Sequence, residues 1–314
     1  MAVVATAQTA TATELEQYRR DLTGYCYRML GSAFEAEDAV QETMLRAWRS
    51  LDRFEGRSAL KSWLYRIATN VCFDALASRE KRARPMDLGP AQEPVIENLA
   101  ELPEVTWITP LPTPDELAEQ RETLRLAFVA ALQHLPPKQR AVLILCEVLK
   151  WQASEAAELL ETSVAAVNSA LQRARVTLET ADIAAPSELD DEARALLERY
   201  VSAFEAYDID RLTDLLHEDA IQSMPPFSNW LRGRDDIFTW WLGPGIGCKG
   251  SKLVPVGLVN GMPAWGQYKP APDGGYEPWS VIVPEVSGGR IVELTFFLDT
   301  AKLFPLLGLA DHLA

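Results

Sequence analysis

QASEAAELLETSVAAVNSALQRARVTL, residues 152–178, is the stretch on which the reading of this chain turns. Ser154 is placed to cap a short helix through Leu160, with Ala156, Ala157 and Leu160 turned inward. Glu161-Thr162-Ser163 makes a turn. Ser163 can then cap a second helix whose Val164, Val167, Leu171, Ala174 and Leu178 share one buried stripe. The opposite face carries Ala166, Asn168, Ser169, Gln172, Arg173 and Arg175. Small side chains let a backbone approach a groove, Asn and Gln can read base edges, and Arg can take phosphate or guanine. An ordinary helical hairpin with a solvated polar face shows the same pattern. Pro136-Pro137-Lys138-Gln139-Arg140 starts a further helix just upstream, and its Val142, Leu143, Leu145 and Val148 supply a packing face for the pair.

Outward from this motif the texture changes four times. Glu14 to about Lys81 is helical and nearly free of Gly and Pro, with Val40, Met44, Ala47 and Trp48 at helical spacing. Residues 85–114 are acidic and carry seven prolines, from Pro85 to Pro114, a density that reads as an extended linker. Trp107-Ile108-Thr109-Pro110 is too apolar for a plain spacer and is expected to dock on another domain. Helical texture returns at 115–182, and Ala184-Ala185-Pro186-Ser187 marks a hinge at 183–190. Two amphipathic helices, Asp191 to Glu205 and Asp210 to Leu216, then precede strand-like runs at 252–259, 262–268, 279–283 and 291–298. Gly274-Gly275 and Gly288-Gly289 suit hairpin turns, so residues 191–314 read as an α+β domain with a curved antiparallel sheet.

The net charge of -15 disfavours a general nucleic-acid coat, but its distribution matters more. Basic residues gather in Lys61 to Arg84 and Gln172 to Arg175; acidic ones crowd Glu93 to Glu119 and Glu188 to Asp219. The Ala/Thr-rich start, residues 1–13, reads as a disordered tail and not a signal peptide. Cys26, Cys72, Cys146 and Cys248 lie far apart, as do His134, His217 and His312, so small apolar cysteines in a reducing cytoplasm are expected, with no metal and no cofactor. No apolar run reaches the roughly 20 residues of a spanning helix, so no membrane partner is expected.

LPPKQRAVLILCEVLKWQASEAAELLETSVAAVNSALQRARVTLE (135–179) resembles region 4 of extracytoplasmic-function sigma factors, and EAEDAVQETMLRAWRSLDRFEGRSALKSWLYRIATNVCFDALASREKR (35–82) resembles their region 2. The resemblance implies two all-α domains, region 2 at 14–84 and region 4 at 115–182. It further implies binding to core RNA polymerase, through its largest and second-largest subunits, and to promoter DNA. Asp38, Gln41, Glu42 and Leu45 would meet the polymerase. Arg53, Phe54, Arg57, Lys61, Arg66, Asn70 and Asp74 would hold the −10 strand, where aromatic faces interleaved with cations suit unstacked bases. Arg79, Lys81, Arg82 and Arg84 would follow its backbone, while Trp63 reads as a core anchor. In the helix-turn-helix at 153–172 and just beyond, Ser163, Ala166, Asn168, Ser169, Gln172, Arg173 and Arg175 would take the −35 element. Two departures stand out. Glu161 occupies a turn position where relatives often carry Gly, and Asn168 and Ala170 stand where Lys and Arg often face DNA. The resemblance also implies that acidic Glu93 to Glu104 enters a basic polymerase channel.

LLERYVSAFEAYDIDRLTDLLHEDAIQSMPP (196–226), followed by LRGRDDIFTWW (231–241), resembles the SnoaL-like fold, a cone of helices over a curved sheet. Trp230, Trp240, Trp241, Trp265, Trp279 and Phe297 could line a pocket for a small apolar ligand, or simply form an aromatic core. His217, Asp219, Asp236 and Asp299 form no dyad by spacing, so no catalytic residue and no enzyme activity is expected. The C-terminal domain is expected to regulate the other two in cis. A one-component ligand-responsive regulator and a fused SnoaL-like enzyme use the same parts, but neither needs the aromatic and basic block at 53–66. Nothing in the sequence addresses an anti-sigma partner, the promoter or the oligomeric state.

Overall fold

The computed structural model describes residues 14–51, 54, 59–77, 81–113, 115–179 and 189–314; the tail at 1–13 and most of the hinge at 183–190 lie outside them. The chain divides into two units: residues 1–82 with 115–183, and residues 83–114 with 184–314.

In the first unit, Gly31 ends α1 (Arg19–Leu30) with φ +71°, a value that costs glycine nothing. Ser32 then opens α2 (Ala33–Ser50), its hydroxyl accepting the Glu35 N–H at 3.4 Å. These two helices and α3 (Leu60–Leu76) bury Leu22, Tyr25, Val40, Leu64 and Val71 between them. The Tyr25 and Thr69 hydroxyls share a 2.7 Å hydrogen bond inside this core. A 3₁₀ stretch (Asp115–Leu124) leads into α4 (Leu126–Gln133). Arg28 joins the two parts: its guanidinium donates to the Thr123 carbonyl and hydroxyl, and burial pushes its pKa down to about 10, leaving it charged at neutral pH. Arg140 does the same for α5 (Pro137–Leu143), donating to the carbonyls of Met29, Gln133 and Leu135. Pro137 sits at the first helical position, and a π-helical turn (Ile144–Val148) follows.

α6 (Ala153–Leu159) and α7 (Val164–Glu179) form the expected helix-turn-helix. Gln152 rather than Ser154 caps α6: its N–H donates to the Glu155 carboxylate at 2.7 Å in a capping box. Ser163 does cap α7, accepting the Ala166 N–H at 3.1 Å. Val167, Ala170 and Ala174 are the buried face of α7, whereas Val164 is exposed. Ala170 is therefore a packing residue and does not face DNA.

The second unit opens its C-terminal part with α8 (Asp191–Ala206) and α9 (Ile209–Leu215), each capped by an aspartate, Asp190 and Asp208. One six-stranded sheet follows, ordered β2-β1-β6-β5-β4-β3. Its strands are β1 (Leu216–Ser223), β2 (Trp230–Arg232), β3 (Lys252–Val259), β4 (Met262–Pro270), β5 (Tyr276–Ser287) and β6 (Arg290–Phe297). β1 and β6 run parallel, so the sheet is mixed and not purely antiparallel. Gly274, Gly275, Gly288 and Gly289 all have positive φ, as hairpin turns require. α10 (Arg234–Leu242) lies after β2 and α11 (Thr300–Leu306) after β6.

Residues 83–113 are not a free spacer: their backbone groups pair with the sheet unit. The Gln92 N–H donates to the Trp230 carbonyl, Leu102 to Pro226, Ser228 to Ala100 and Thr113 to Leu258, all at 2.8–3.0 Å. Leu111 and Asn260 exchange two hydrogen bonds, one backbone to backbone and one from the Leu111 N–H to Asn260 Oδ1, both 2.9 Å. The prolines explain why the segment is extended; it pairs with the turn after β3, at Val259, Asn260 and Gly261, and with the loop at 226–228. Trp107 and Ile108 are buried in this unit.

Candidate functional site

On α2, Asp38 and Gln41 are exposed, Leu45 is 42 % exposed, and Glu42 holds Arg46 at 2.6 Å. Trp48, at helical spacing with Val40, Met44 and Ala47, is 65 % exposed. At about 100° per residue it lies roughly 80° round the helix from Val40, at the edge of the buried stripe and beside Gln41.

The second face combines α3 with the helix-turn-helix. Arg53 and Arg57 lie outside the described residues, as does Arg79. Phe54 stacks on Trp63 at 4.9 Å. Lys61 Nζ stands 5.9 Å from both the Tyr65 and Trp151 rings, and Arg66 donates to the Glu158 carbonyl at 3.2 Å with the Glu158 carboxylate at 3.9 Å. Asn70 and Asp74 are exposed, with Asp74 at 3.5 Å from Arg46. Arg82 does not follow a nucleic-acid backbone: it is buried and paired with Glu35 at 3.0 Å. Arg84 belongs to the other unit. Burial alone would lower its pKa, but Glu293 at 3.6 Å and Asp87 outweigh that and raise it.

Along α7, Ser163, Ala166, Asn168, Ser169, Gln172, Arg173 and Arg175 are all exposed, as a groove-reading face requires. Arg173 donates to the Ser169 hydroxyl at 2.6 Å, and Arg175 pairs with Glu147. Glu161 holds φ +50°, the left-handed conformation that a glycine would take without strain.

The sheet unit encloses a cavity of about 250 Å³. Trp240, Trp241 and Trp279 line it, as do Phe204, Phe227 and Phe296. Trp230, Trp265 and Phe297 do not. The Trp230 indole N–H donates to the Gly89 carbonyl at 2.9 Å, Trp265 packs on Tyr200 at 6.2 Å, and Phe297 follows Phe296 on a strand whose faces alternate. Trp279 reaches the cavity through a bulge, since Tyr268 pairs with Pro278 and Gln267 with Ser280, leaving Trp279 as the extra residue. Two glutamines, Gln222 and Gln267, and the Cys248 thiol also line the space, and burial raises the thiol's pKa. His217, Asp219, Asp236 and Asp299 stand elsewhere; His217 Nδ1 accepts the Asp219 N–H at 3.1 Å on the surface. Among the described residues no cluster of His, Cys, Asp or Glu could hold a metal ion, and no helix is long and apolar enough to cross a membrane.

Comparison with known proteins matches residues 15–82 to Sigma-70 region 2, 125–178 to Sigma-70, region 4, and 197–294 to a SnoaL-like domain. The ECF RNA polymerase sigma factor SigG of Mycobacterium tuberculosis is 46 % identical over 312 residues, covering 95 % of this chain and 83 % of that protein. This chain is an ECF RNA polymerase sigma factor. SigW of Bacillus subtilis, also an ECF sigma factor, is 31 % identical over 171 residues, 54 % of this chain and 88 % of its own. The crystal structure of the Mycobacterium tuberculosis ECF sigma factor SigJ shares the fold with a TM-score of 0.61, covering 94 % of this sigma factor and 98 % of SigJ at 23 % identity. The sigma factor therefore acts in promoter recognition with core RNA polymerase, and its third domain is SnoaL-like.

Proposed function

We propose that Asp38, Gln41, Glu42, Leu45 and Trp48 form the polymerase-binding face of this sigma factor, with Phe54, Lys61, Arg66, Asn70 and Asp74 (and Arg53 and Arg57) on the −10 strand and the exposed face of α7 on the −35 element. The described arrangement is then a closed one. Elements about 25 base pairs apart are separated by roughly 85 Å at 3.4 Å per base pair. Yet Arg66 and Glu158 of the helix-turn-helix unit are in contact. Lys61 and Arg66 must exchange these protein partners for phosphate before both elements can be held.

The SnoaL-like domain regulates this opening in cis through the segment between the two sigma regions, and its cavity takes a small apolar molecule. The observation that carries the regulatory reading is the backbone pairing of 92–113 with the sheet unit. Acidic Glu93 to Glu104 cannot lie on this unit and in a polymerase channel at once, so release of the segment is the regulated step. The action is cytoplasmic, where promoter and polymerase are.

Two measurements test these readings. Replacing Leu45 by Asp, or Trp48 by Ala, is expected to weaken binding to core polymerase about tenfold or more while leaving the thermal transition in place, as for exposed interface anchors. Unchanged affinity sinks the polymerase face. In transcription from a cognate promoter with core enzyme, a chain ending near Ala185 should differ in activity from the full chain. Equal activity sinks regulation in cis.

A further inference from the structure

The two glutamines at the cavity are differently employed. Gln267 has both ends of its carboxamide occupied: Oε1 accepts the Ser280 hydroxyl at 2.7 Å, and Nε2 donates to Ser251 Oγ at 3.0 Å. Gln222 is 1 % exposed, and its Oε1 accepts the Trp241 indole N–H at 2.7 Å. An indole nitrogen can only donate, so this assignment of the amide is forced. Gln222 Nε2 is left with no acceptor among the described residues, although buried polar groups are nearly always paired. The indole N–H groups of Trp240 and Trp279, which also line the space, have no acceptor there either. The vacant N–H groups of this aromatic box are donors, while the Tyr207 hydroxyl gives its own proton to the Trp241 carbonyl at 2.6 Å.

The remaining chemistry narrows the occupant. No Lys, Arg, His, Asp or Glu lines the cavity, so nothing would neutralise a charged ligand. The volume, about 250 Å³, exceeds the ~150 Å³ of an apolar cavity that takes benzene, and so admits a bicyclic ring with a short substituent. The walls offer aromatic faces from Phe204, Trp241 and Phe296, which suit a flat molecule. Ile96 and Leu99 line the cavity from the segment between the sigma regions, and Ile96 is 60 % exposed.

We propose that the cavity binds a neutral, flat, mainly apolar molecule bearing a carbonyl-type hydrogen-bond acceptor, and that the Gln222 amide N–H is the group that reads this acceptor. The inference rests on the reading of the cavity as a ligand site and specifies what it takes. A bound molecule also covers Ile96, so occupancy adds apolar contact to the docked segment and slows its release.

Three probes of one shape test this on the full chain by calorimetry: 2-acetylnaphthalene, 2-ethylnaphthalene and 2-naphthoate. The ketone is expected to bind about tenfold more tightly than the hydrocarbon, the scale of one buried hydrogen bond, and the carboxylate more weakly than either. Amide exchange at 95–99 should slow with the ketone bound. In the double variant Gln222→Leu/Trp241→Phe, which removes donor and tether together, ketone and hydrocarbon should bind within about twofold of each other. If no probe binds the unmodified chain, the ligand-site reading itself falls. If the hydrocarbon binds as well as the ketone, that reading stands and the role of Gln222 falls. A preference for the ketone that survives in the double variant assigns the acceptor to the indoles and overturns the proposal. If the double variant does not fold, the comparison within the unmodified chain still decides whether the site reads an acceptor, and loss of the ketone preference in the single variant Gln222→Leu, or its survival there, decides whether Gln222 is the reader.

Discussion

Arg140 in the helical unit and Gln222 in the sheet unit are both sealed from solvent, yet they are used in opposite ways. Arg140 donates to three carbonyls and to Gln133 Oε1, tying the end of α1 to the start of α5. The Gln222 side chain makes one hydrogen bond and faces an open interior. A unit whose proposed contacts all lie on its outer faces can close its core and use its buried cations to join helices, even though Arg28 Nη1, Tyr65 Oη and Arg140 Nε stay without a hydrogen-bond partner there. The ligand site proposed for the sheet unit requires the opposite, an interior with space and polar groups left unfilled. The sheet unit shows the same economy at its rim, where it is completed by residues 83–113 from a distant part of the chain.

The sharpest way to break this contrast is to remove the satisfied side. Arg140→Ala leaves the Met29, Gln133 and Leu135 carbonyls without their donor and opens a void. A loss of about 3–5 kcal/mol is expected in the denaturant transition of the helical unit. Amide exchange within the sheet unit should be unchanged. A loss below about 1 kcal/mol would mean that water replaces the guanidinium and that the core is not sealed.

The contrast also sets what the sequence could tell. The helical unit folds through local signals: Ser163 caps α7, Pro137 starts α5, and the exposed face of α7 follows from its period. Trp48 shows the limit of that logic, since a position roughly 80° from Val40 is compatible with either side and only packing decides. In the sheet unit, β3 and the glycine hairpins were legible because alternation and turn chemistry are local. β1 was not. It starts directly at the end of α9, its burial does not alternate, and its partner β6 is parallel and some 70 residues away. The choice of Phe297 over Phe296 as a cavity residue failed for a related reason: a strand's faces are known only once its register is. The bulge that turns Trp279 inward and the docking of 83–113 depend on contacts that no local pattern encodes.

A smaller effect is expected where that distant segment is attached. Asn260→Ala removes the acceptor of the buried Leu111 N–H and places alanine at φ +51°. Together these should cost about 2–4 kcal/mol of local stability, seen as faster amide exchange at Leu111 and Thr113. Asn260→Gly keeps the turn and loses only the acceptor, so it should show about half that effect. If both substitutions act alike, backbone conformation contributes nothing and the side-chain acceptor alone holds the segment. If neither acts, the backbone pair suffices, and regulation through this attachment loses its physical basis.

The smallest effect should run in the stabilising direction and in the other unit. Glu161 holds φ +50° in the turn of the helix-turn-helix, where a non-glycine side chain carries roughly 1–2 kcal/mol of strain. Glu161→Gly relieves it, while the added freedom of glycine in the unfolded chain takes back about 0.5–1 kcal/mol. The net gain, about 0.5–1 kcal/mol, should slow amide exchange across 153–179 a few-fold and leave the sheet unit untouched. Glu161 is exposed, so no packing is lost with its side chain. The same change removes a negative charge beside the DNA-facing helix. Promoter affinity should therefore rise and its salt dependence steepen slightly. A faster exchange would show that the glutamate stabilises the turn through its charge or its side-chain contacts, and that its departure from glycine is a structural gain rather than a strain the fold tolerates.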